Sequence, residues 1–234
     1  MTGIPRRERL IAALDVPRAG EARALAERLG DAVCFYKIGL ELASAEGYFE
    51  LLAWLRARGA RVFADLKLYD IPATVRRAVA NLRASGASFL TVHAERSIME
   101  AAAREKGELK ILAVTVLTSF DARSIAEMGY AGSVEDLVLK RSRAALESGC
   151  DGVIASGLEA PKIKAAFGER LLVVVPGVRP AGAAAQDQKR VVDVAQAFAN
   201  GADYIVVGRP IRDAADPRAA AQSIQNAIAS AVKH

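Results

Sequence analysis

Eight short apolar runs, each followed by a segment with helical spacing, constrain the fold of this chain most strongly. The runs have the length and residue types of buried strands, and they end near Asp15, Gly39, Lys67, Ala94, Thr118, Gly157, Gly177 and Arg209. The helical segments cover residues 20–30, 44–59, 72–86, 96–107, 133–148, 158–168, 187–200 and 217–232. Strands that alternate with helices predict a parallel sheet.

The number of these units favours a closed barrel. Eight strand–helix units in 234 residues are typical of the α/β class and of a (β/α)8 TIM barrel. We predict a single domain over residues 1–234, because no linker or compositional break divides the chain. A doubly wound open sheet is the alternative, but its first turn would carry GxGxxG, which residues 15–18 lack. The long connections 119–132 and 178–186 are candidates for lids.

The composition argues against several classes of protein. The formal charge is +5, from 32 basic and 27 acidic residues that are spread along the helices rather than clustered with aromatics, so we expect no nucleic-acid partner. No uncharged apolar run approaches the roughly 18 residues needed to span a bilayer, and the apolar run 10–14 is too short for a signal sequence. Cys34 and Cys150 stand singly, which argues against a disulfide framework or a zinc site. We expect a cytoplasmic protein with no membrane partner.

The third predicted strand carries two charges in an apolar setting. Alternation along a strand puts Asp65 and Lys67 on one face and Leu66 and Leu68 on the other. The apolar face must pack on the helices, so the charged pair points into the barrel at the carboxyl end, where barrel active sites lie. Two such charges are tolerated inside a protein only when they are paired.

Further charges end the neighbouring strands. Lys37 lies near the end of the second strand, Asp15 ends the first, and Asp70 follows the third. A carboxylate favours the protonated form of a neighbouring lysine, and a lysine held in this way can donate a proton to a developing carbanion. The alternative is a set of ordinary salt bridges at the barrel rim, with Asp70 at a helix start.

Strands seven and eight are followed by residues suited to phosphate. The seventh ends in PGVR at 176–179 and the eighth in GRP at 208–210. Barrels commonly bind phosphate at these two loops, where glycines admit the backbone and an arginine forms a bidentate clamp. Gln188 is a candidate to add an amide, or is a solvated residue at a helix start.

Taken together, these motifs resemble the orotidine 5'-phosphate decarboxylase family. The segment 65–72, DLKLYDIP, with Thr74, is similar to the Asp-x-Lys-x-x-Asp motif of that family, although Tyr69 stands where many relatives have histidine. The resemblance covers nearly the whole chain, through ALD at 13–15, YKIG at 36–39, VHA at 92–94, LTS at 117–119, PGVR at 176–179, DQ at 187–188 and VVGR at 206–209. Sugar-phosphate decarboxylases of the same superfamily share the first motif alone.

The resemblance implies an enzyme of pyrimidine biosynthesis that converts orotidine 5'-monophosphate to UMP without a metal or organic cofactor. Lys67 would protonate C6, Asp65 would face the substrate carboxylate, and Asp70 would enter the site of the neighbouring subunit of a homodimer. Lys37 would join this catalytic charge network. The implied substrate-binding residues are Asp15, Lys37, Thr74, Thr118, Arg179, Gln188, Gly208 and Arg209.

Two alternatives remain open from the sequence. A sugar-phosphate lyase on the same barrel would need a divalent metal, but Thr118, Ser119 and Gln188 suit a pyrimidine ligand better. A non-catalytic UMP-binding protein would have no use for the complete set of charges on and after strands two and three.

Overall fold

The structure is a computed structural model that describes residues 3–179 and 192–232, and eight parallel strands form a closed barrel in it. The strands follow one another around the barrel in chain order, and the last pairs with the first. They are β1 (Leu10–Ala13), β2 (Phe35–Gly39), β3 (Arg61–Leu68), β4 (Phe89–His93), β5 (Lys110–Val114), β6 (Gly152–Ile154), β7 (Leu172–Val175) and β8 (Tyr204–Val207). The predicted (β/α)8 barrel is confirmed, and the open-sheet alternative is wrong.

The helices surround the barrel and cover its outer face. They are α1 (Ala19–Leu29), α2 (Leu40–Ala43), α3 (Tyr48–Ala57), α4 (Pro72–Ala84), α5 (Arg96–Glu105), α6 (Ala122–Glu127), α7 (Val134–Glu147), α8 (Ala160–Phe167), α9 (Val194–Ala199), α10 (Arg209–Arg212) and α11 (Pro217–Ala231). Across residues 3–179 and 192–232, none of these helices combines the length and the apolar character that a membrane span requires.

Helix α4 shows why the sequence folds in this way. Pro72 occupies its first turn, where a missing N–H costs nothing. Val75, Val79 and Leu82 share one face and are buried against the sheet. Gly86, just past the end, has a φ of 78°, a conformation that favours glycine. The predicted helix over 72–86 is therefore present, within two residues of its expected end.

The amino-terminal part of the barrel interior is filled by aromatic side chains. The Phe89 ring meets Phe35 and Tyr204 edge to face, with ring centroids 5.0 and 5.1 Å apart. The Arg61 guanidinium lies 4.5 Å from the centre of the Phe35 ring and pairs with Glu8. This packed layer is the floor on which the polar residues of the carboxyl end rest.

The next inward-facing layer is polar because side chains on one strand face alternate with period two. Two residues beyond Phe35, Phe63 and Phe89 stand Lys37, Asp65 and Thr91, and all three polar residues are buried. The barrel thus brings polar residues of three neighbouring strands into its interior beyond the aromatic layer.

The predicted ends of five strands, β1, β5, β6, β7 and β8, lie two to four residues too late. Strand β5 ends at Val114 rather than near Thr118, and the connection 119–132 contains the short helix α6. A capping box starts α6, since the Asp121 carboxylate accepts a hydrogen bond from the Ser124 N–H at 3.0 Å. Strand β8 ends at Val207, and Arg209 begins helix α10 rather than ending the strand. Most of the predicted connection 178–186 and the start of the predicted helix 187–200 lie outside the described residues.

Candidate active site

A cavity of about 370 Å³ opens at the carboxyl ends of the strands. Its floor includes Phe63 and Val206, which belong to the apolar interior of the barrel. Acidic residues and lysines line one side and arginines the other; the predicted site residues found in the lining are Asp15, Lys37, Asp65, Lys67, Thr118, Arg179, Gly208 and Arg209.

Strands β1 to β3 contribute a continuous array of charges to the cavity. Lys37 Nζ lies 2.6 Å from Oδ1 of Asp15 and 3.6 Å from Oδ2 of Asp65. Lys67 Nζ lies 2.8 Å from the same Oδ2 of Asp65. Because Asp65 and Lys37 are buried, these charges are screened weakly by solvent and act strongly on each other.

The ionisation of Asp65 reflects this array. Burial raises the pKa of Asp65, but the charges of Lys37 and Lys67, with hydrogen bonds from Lys67 and Thr91, lower its pKa below the ordinary value. Asp65 is therefore a carboxylate at neutral pH.

The backbone departs from regular strand geometry at Lys67. Ala64 pairs with Leu90 of β4, yet the next pairing joins Leu68 to Val92, so β3 has two more residues than β4 between these points. Lys67 has a φ of 47° and is the single non-glycine residue with positive φ among those described. Such backbone outliers cost free energy and cluster at functional sites.

Gly39 leaves the space that the Lys37–Asp15 ion pair occupies. A Cβ atom at this position would lie 3.0 Å from Lys37 Nζ and 3.5 Å from Oδ1 of Asp15. The φ of Gly39 is −109°, which other residues adopt freely. The requirement at Gly39 is therefore space for the lysine head and not backbone freedom.

The opposite side of the cavity is strongly basic. Arg179 is buried after β7, and Arg209 and Arg212 belong to the short helix α10 after β8. Gly177, which has a φ of 74°, turns the chain from β7 towards Arg179. Guanidinium groups are suited to bidentate contacts with phosphate.

Arg212 lines the cavity although the sequence analysis did not single it out. Its Nη1 donates to the backbone oxygen of Asp15 at 2.7 Å, and its Nε lies 2.6 Å from Oδ1 of Asp213. The sequence contains a signal for Arg212, because Pro210 is typical of a first helical turn and a helix there puts Arg209 and Arg212 one turn apart.

The loop after β5 separates the two charged sides. Leu117, Thr118 and Ser119 line the cavity there, and the Thr118 side chain is buried. Val114 and Ile154 form an apolar wall beside it. This part of the lining therefore combines an apolar wall with a polar loop.

Two predicted site residues, Asp70 and Thr74, do not line this cavity. Asp70 is exposed beyond β3, where its Oδ1 accepts a hydrogen bond from the Ile71 N–H at 2.6 Å. Thr74 lies in the first turn of α4, and its hydroxyl accepts from Arg77 at 3.4 Å. Gln188 lies outside the described residues.

His93, the last residue of β4, is half-buried beside the array. The Tyr69 ring meets it edge to face at 5.2 Å between centroids. Burial, with the positive charges of Arg141 and Lys67, lowers the pKa of His93 below its ordinary value. Within the described ranges, no three His, Cys, Asp or Glu residues are grouped as metal ligands.

Comparison with known proteins gives one consistent family. The family model described as Orotidine 5'-phosphate decarboxylase / HUMPS family matches residues 8–224. The orotidine 5'-phosphate decarboxylase of Methylococcus capsulatus is 57% identical over 226 residues, covering 96% of this chain and 93% of the relative. That of Rhodopseudomonas palustris is 52% identical over 230 residues, covering 97% of each.

A solved structure agrees with these relatives. The crystal structure of the orotidine 5'-phosphate decarboxylase from Lactobacillus acidophilus matches with a TM-score of 0.84 and 33% identity, over 94% of this chain and 99% of that chain. The family model spans most of the sequence, and relatives above 50% identity span nearly all of it. The chain therefore belongs to the orotidine 5'-phosphate decarboxylase / HUMPS family.

Proposed function

We propose that this protein decarboxylates orotidine 5'-monophosphate to UMP, without a cofactor, in the cytoplasmic synthesis of pyrimidine nucleotides. The observation that carries the proposal is the array of Lys37, Asp65 and Lys67 on one side of the cavity, in which Lys37 and Asp65 are buried. The relatives above 50% identity that share the name orotidine 5'-phosphate decarboxylase support it.

The chemistry needs a site of this kind. When the bond from C6 to the carboxylate carbon breaks, CO₂ leaves and the electron pair stays on C6, where no ring carbonyl delocalises it by simple resonance. The protein must therefore stabilise the carbanion electrostatically, which is commonly the largest catalytic contribution. The ammonium group of Lys67 supplies that charge and then transfers a proton to C6, which completes UMP.

Lys37, Asp65 and Asp15 prepare Lys67 for this role. Asp65 holds the Lys67 ammonium at 2.8 Å, and Lys37 joins Asp65 to Asp15. Charges fixed before the substrate arrives need no reorganisation during the reaction. In the proposal, Asp65 faces the substrate carboxylate, while Asp15 and Lys37 also bind the ribose.

The arginine side binds the phosphate, which is remote from the bond that breaks. Arg179, Gly208 and Arg209 hold it, with Gln188 completing the site, and Thr118 contacts the pyrimidine. Binding energy at the phosphate can be used to organise the charged side, so it raises the rate as well as the affinity.

The proposal includes a homodimer in which Asp70 enters the partner's cavity. In its own chain Asp70 is exposed, and its neighbours Tyr69 and Ile71 are 71% and 65% exposed. Leu40, after the adjacent strand β2, is 59% exposed. Large apolar side chains at neighbouring strand ends are typical of a protein interface. Thr74, in the first turn of α4, lies close to Asp70 in sequence. We propose that it binds substrate in the partner's cavity together with Asp70.

The direct test follows the ultraviolet absorbance of orotidine 5'-monophosphate mixed with the purified protein in EDTA. Conversion to UMP supports the proposal and its independence of a divalent metal. No conversion in EDTA, with magnesium-dependent activity on a sugar phosphate, would identify a metal-dependent lyase instead. Binding of UMP without turnover of either substrate would identify a non-catalytic nucleotide-binding protein.

A further inference from the structure

Thr91 on β4 contacts both members of the catalytic ion pair. Its side chain is completely buried, and its hydroxyl donates a hydrogen bond to Oδ1 of Asp65 at 2.8 Å. The same hydroxyl accepts a hydrogen bond from the backbone N–H of Lys67 at 3.0 Å. A hydroxyl has one proton to donate and lone pairs to accept, so both of these bonds form at once.

The first bond determines how the Asp65 carboxylate is turned. Thr91 holds Oδ1, which leaves Oδ2 to face Lys67 at 2.8 Å and Lys37 at 3.6 Å. Without a donor at Oδ1, only the lysine contacts at Oδ2 orient the carboxylate, and it can pivot about that oxygen. The lysine contacts then no longer have a single geometry.

The second bond supports the irregular backbone at Lys67. Thr91 lies between Leu90 and Val92, the two β4 residues at which the pairing with β3 shifts. Leu90 and Val92 face the outer core, so Thr91 faces the barrel interior beside the shift. There the N–H of Lys67 donates its hydrogen bond to the Thr91 hydroxyl instead of to a backbone acceptor across the shifted ladder. A backbone N–H inside a protein requires an acceptor of this kind.

We propose that Thr91 is a positioning residue, which holds the Asp65 carboxylate and the Lys67 backbone in the one arrangement that aims the lysine at C6. This inference rests on the proposed decarboxylase function. Thr91 does not line the cavity and acts only through these two neighbours.

The experiment compares three variants of the full-length protein. Thr91→Val removes the hydroxyl with little change of shape, and Thr91→Ser keeps the hydroxyl and removes the methyl group. Thr115→Val is the matched control, because Thr115 is equally buried but its hydroxyl donates only to the backbone oxygen of Ile154 at 2.8 Å. For each, kcat, KM, UMP affinity and the thermal midpoint are measured.

We expect Thr91→Val to lower kcat about 100-fold, the scale expected when a reacting group is misplaced by about 1 Å. UMP affinity should stay close to that of the wild type, and Thr91→Ser and Thr115→Val should keep most of kcat. The acid limb of the kcat profile should move to higher pH in Thr91→Val, because the lost hydrogen bond normally lowers the pKa of Asp65.

Three outcomes would overturn the inference. The first is an unchanged kcat in Thr91→Val. The second and third are a loss of kcat in Thr91→Ser, or in Thr115→Val, as large as the loss in Thr91→Val. Crystal structures of the wild type and Thr91→Val give a test that does not depend on turnover. If the wild type fails to decarboxylate orotidine 5'-monophosphate, the proposed function is wrong. The crystal structures then still test the positioning role. An Asp65–Lys67 contact that is unchanged in Thr91→Val overturns that role, and a displaced contact supports it.

Discussion

Lys67 Nζ lies 2.8 Å from Oδ2 of Asp65, and both residues belong to strand β3 with a single residue between them. Lys67 also has the positive φ of 47°. The ion pair and the strained backbone therefore coincide at the residue that the proposed mechanism makes the proton donor. Such a conformation costs about 1–3 kcal/mol and persists where surrounding contacts fix it, here the ion pair with Asp65 and the hydrogen bond to Thr91.

Lys67→Ala should abolish nearly all turnover while UMP binding persists. The variant loses both the charge that stabilises the carbanion and its proton donor, so we expect kcat to fall by about 1,000-fold or more. Lys110→Ala, at an exposed position of β5, is the control and should retain full activity. Steady-state kinetics and calorimetric titration with UMP check both expectations; a Lys67→Ala protein with wild-type turnover contradicts the proton-donor role.

Arg209→Ala should lower kcat/KM for orotidine 5'-monophosphate by about 100- to 1,000-fold, because phosphate binding energy is lost. The phosphate-free nucleoside orotidine never makes this contact, so its slow decarboxylation should be nearly the same in the variant and the wild type. A competition assay with both substrates measures the two ratios. An equal loss for both substrates would place Arg209 in the chemistry rather than at the phosphate.

Mixing two inactive proteins should restore activity if Asp70 crosses between subunits. A mixed dimer of Lys67→Ala and Asp70→Asn has one site with both defects and one site with neither. Random pairing after subunit exchange therefore returns about one quarter of the wild-type sites. Activity is measured against the mixing ratio, and each variant alone is the control. No recovery in a preparation shown by mass spectrometry to contain mixed dimers would place Asp70 in its own chain's site.

Gly39→Ala should weaken catalysis by crowding the Lys37–Asp15 ion pair. The added Cβ would lie 3.0 Å from Lys37 Nζ and displace it from Asp15, and we expect about a tenfold loss of kcat/KM with little change in thermal midpoint. Gly20→Ala is the matched control, because a Cβ there meets nothing within 4 Å. If the two variants behave alike, the space at Gly39 has no catalytic importance.

His93 should make the folded state less stable as the pH falls. Its pKa is lowered in the fold, so the unfolded chain takes up a proton first, and stability is lost between the ordinary pKa of about 6.5 and the lower folded value. Denaturant midpoints at about pH 8 and about pH 5 should differ less in His93→Gln than in the wild type. His234→Gln, at the other histidine of the chain, is the control and should keep the wild-type difference.

The sequence predicts the barrel and most of the charged residues at the carboxyl ends of its strands, because both depend on short-range patterns. Alternation along β3 predicts that Asp65 and Lys67 share one face, and the strand order predicts that Lys37 and Asp15 lie beside them, where the ion pairs are found. A buried charge among apolar neighbours is conspicuous in any strand.

Other features need the folded coordinates. Thr91 reads as an ordinary strand residue, since threonine is common in sheets, and only the register shift puts its hydroxyl between Asp65 and Lys67. The end of β5 was missed because the apolar pattern runs on through Val116 after the last ladder pairing at Val114.

The aromatic layer with Arg61 across it fills the amino end of the barrel, and the cavity lined by the described residues opens at the carboxyl end. Substrate therefore enters and product leaves through the opening at the carboxyl end. A product molecule that stays bound prevents the next substrate molecule from binding, so the site holds one nucleotide at a time. Under the proposed function, UMP is therefore a competitive inhibitor, and its departure sets an upper limit on how fast the enzyme cycles.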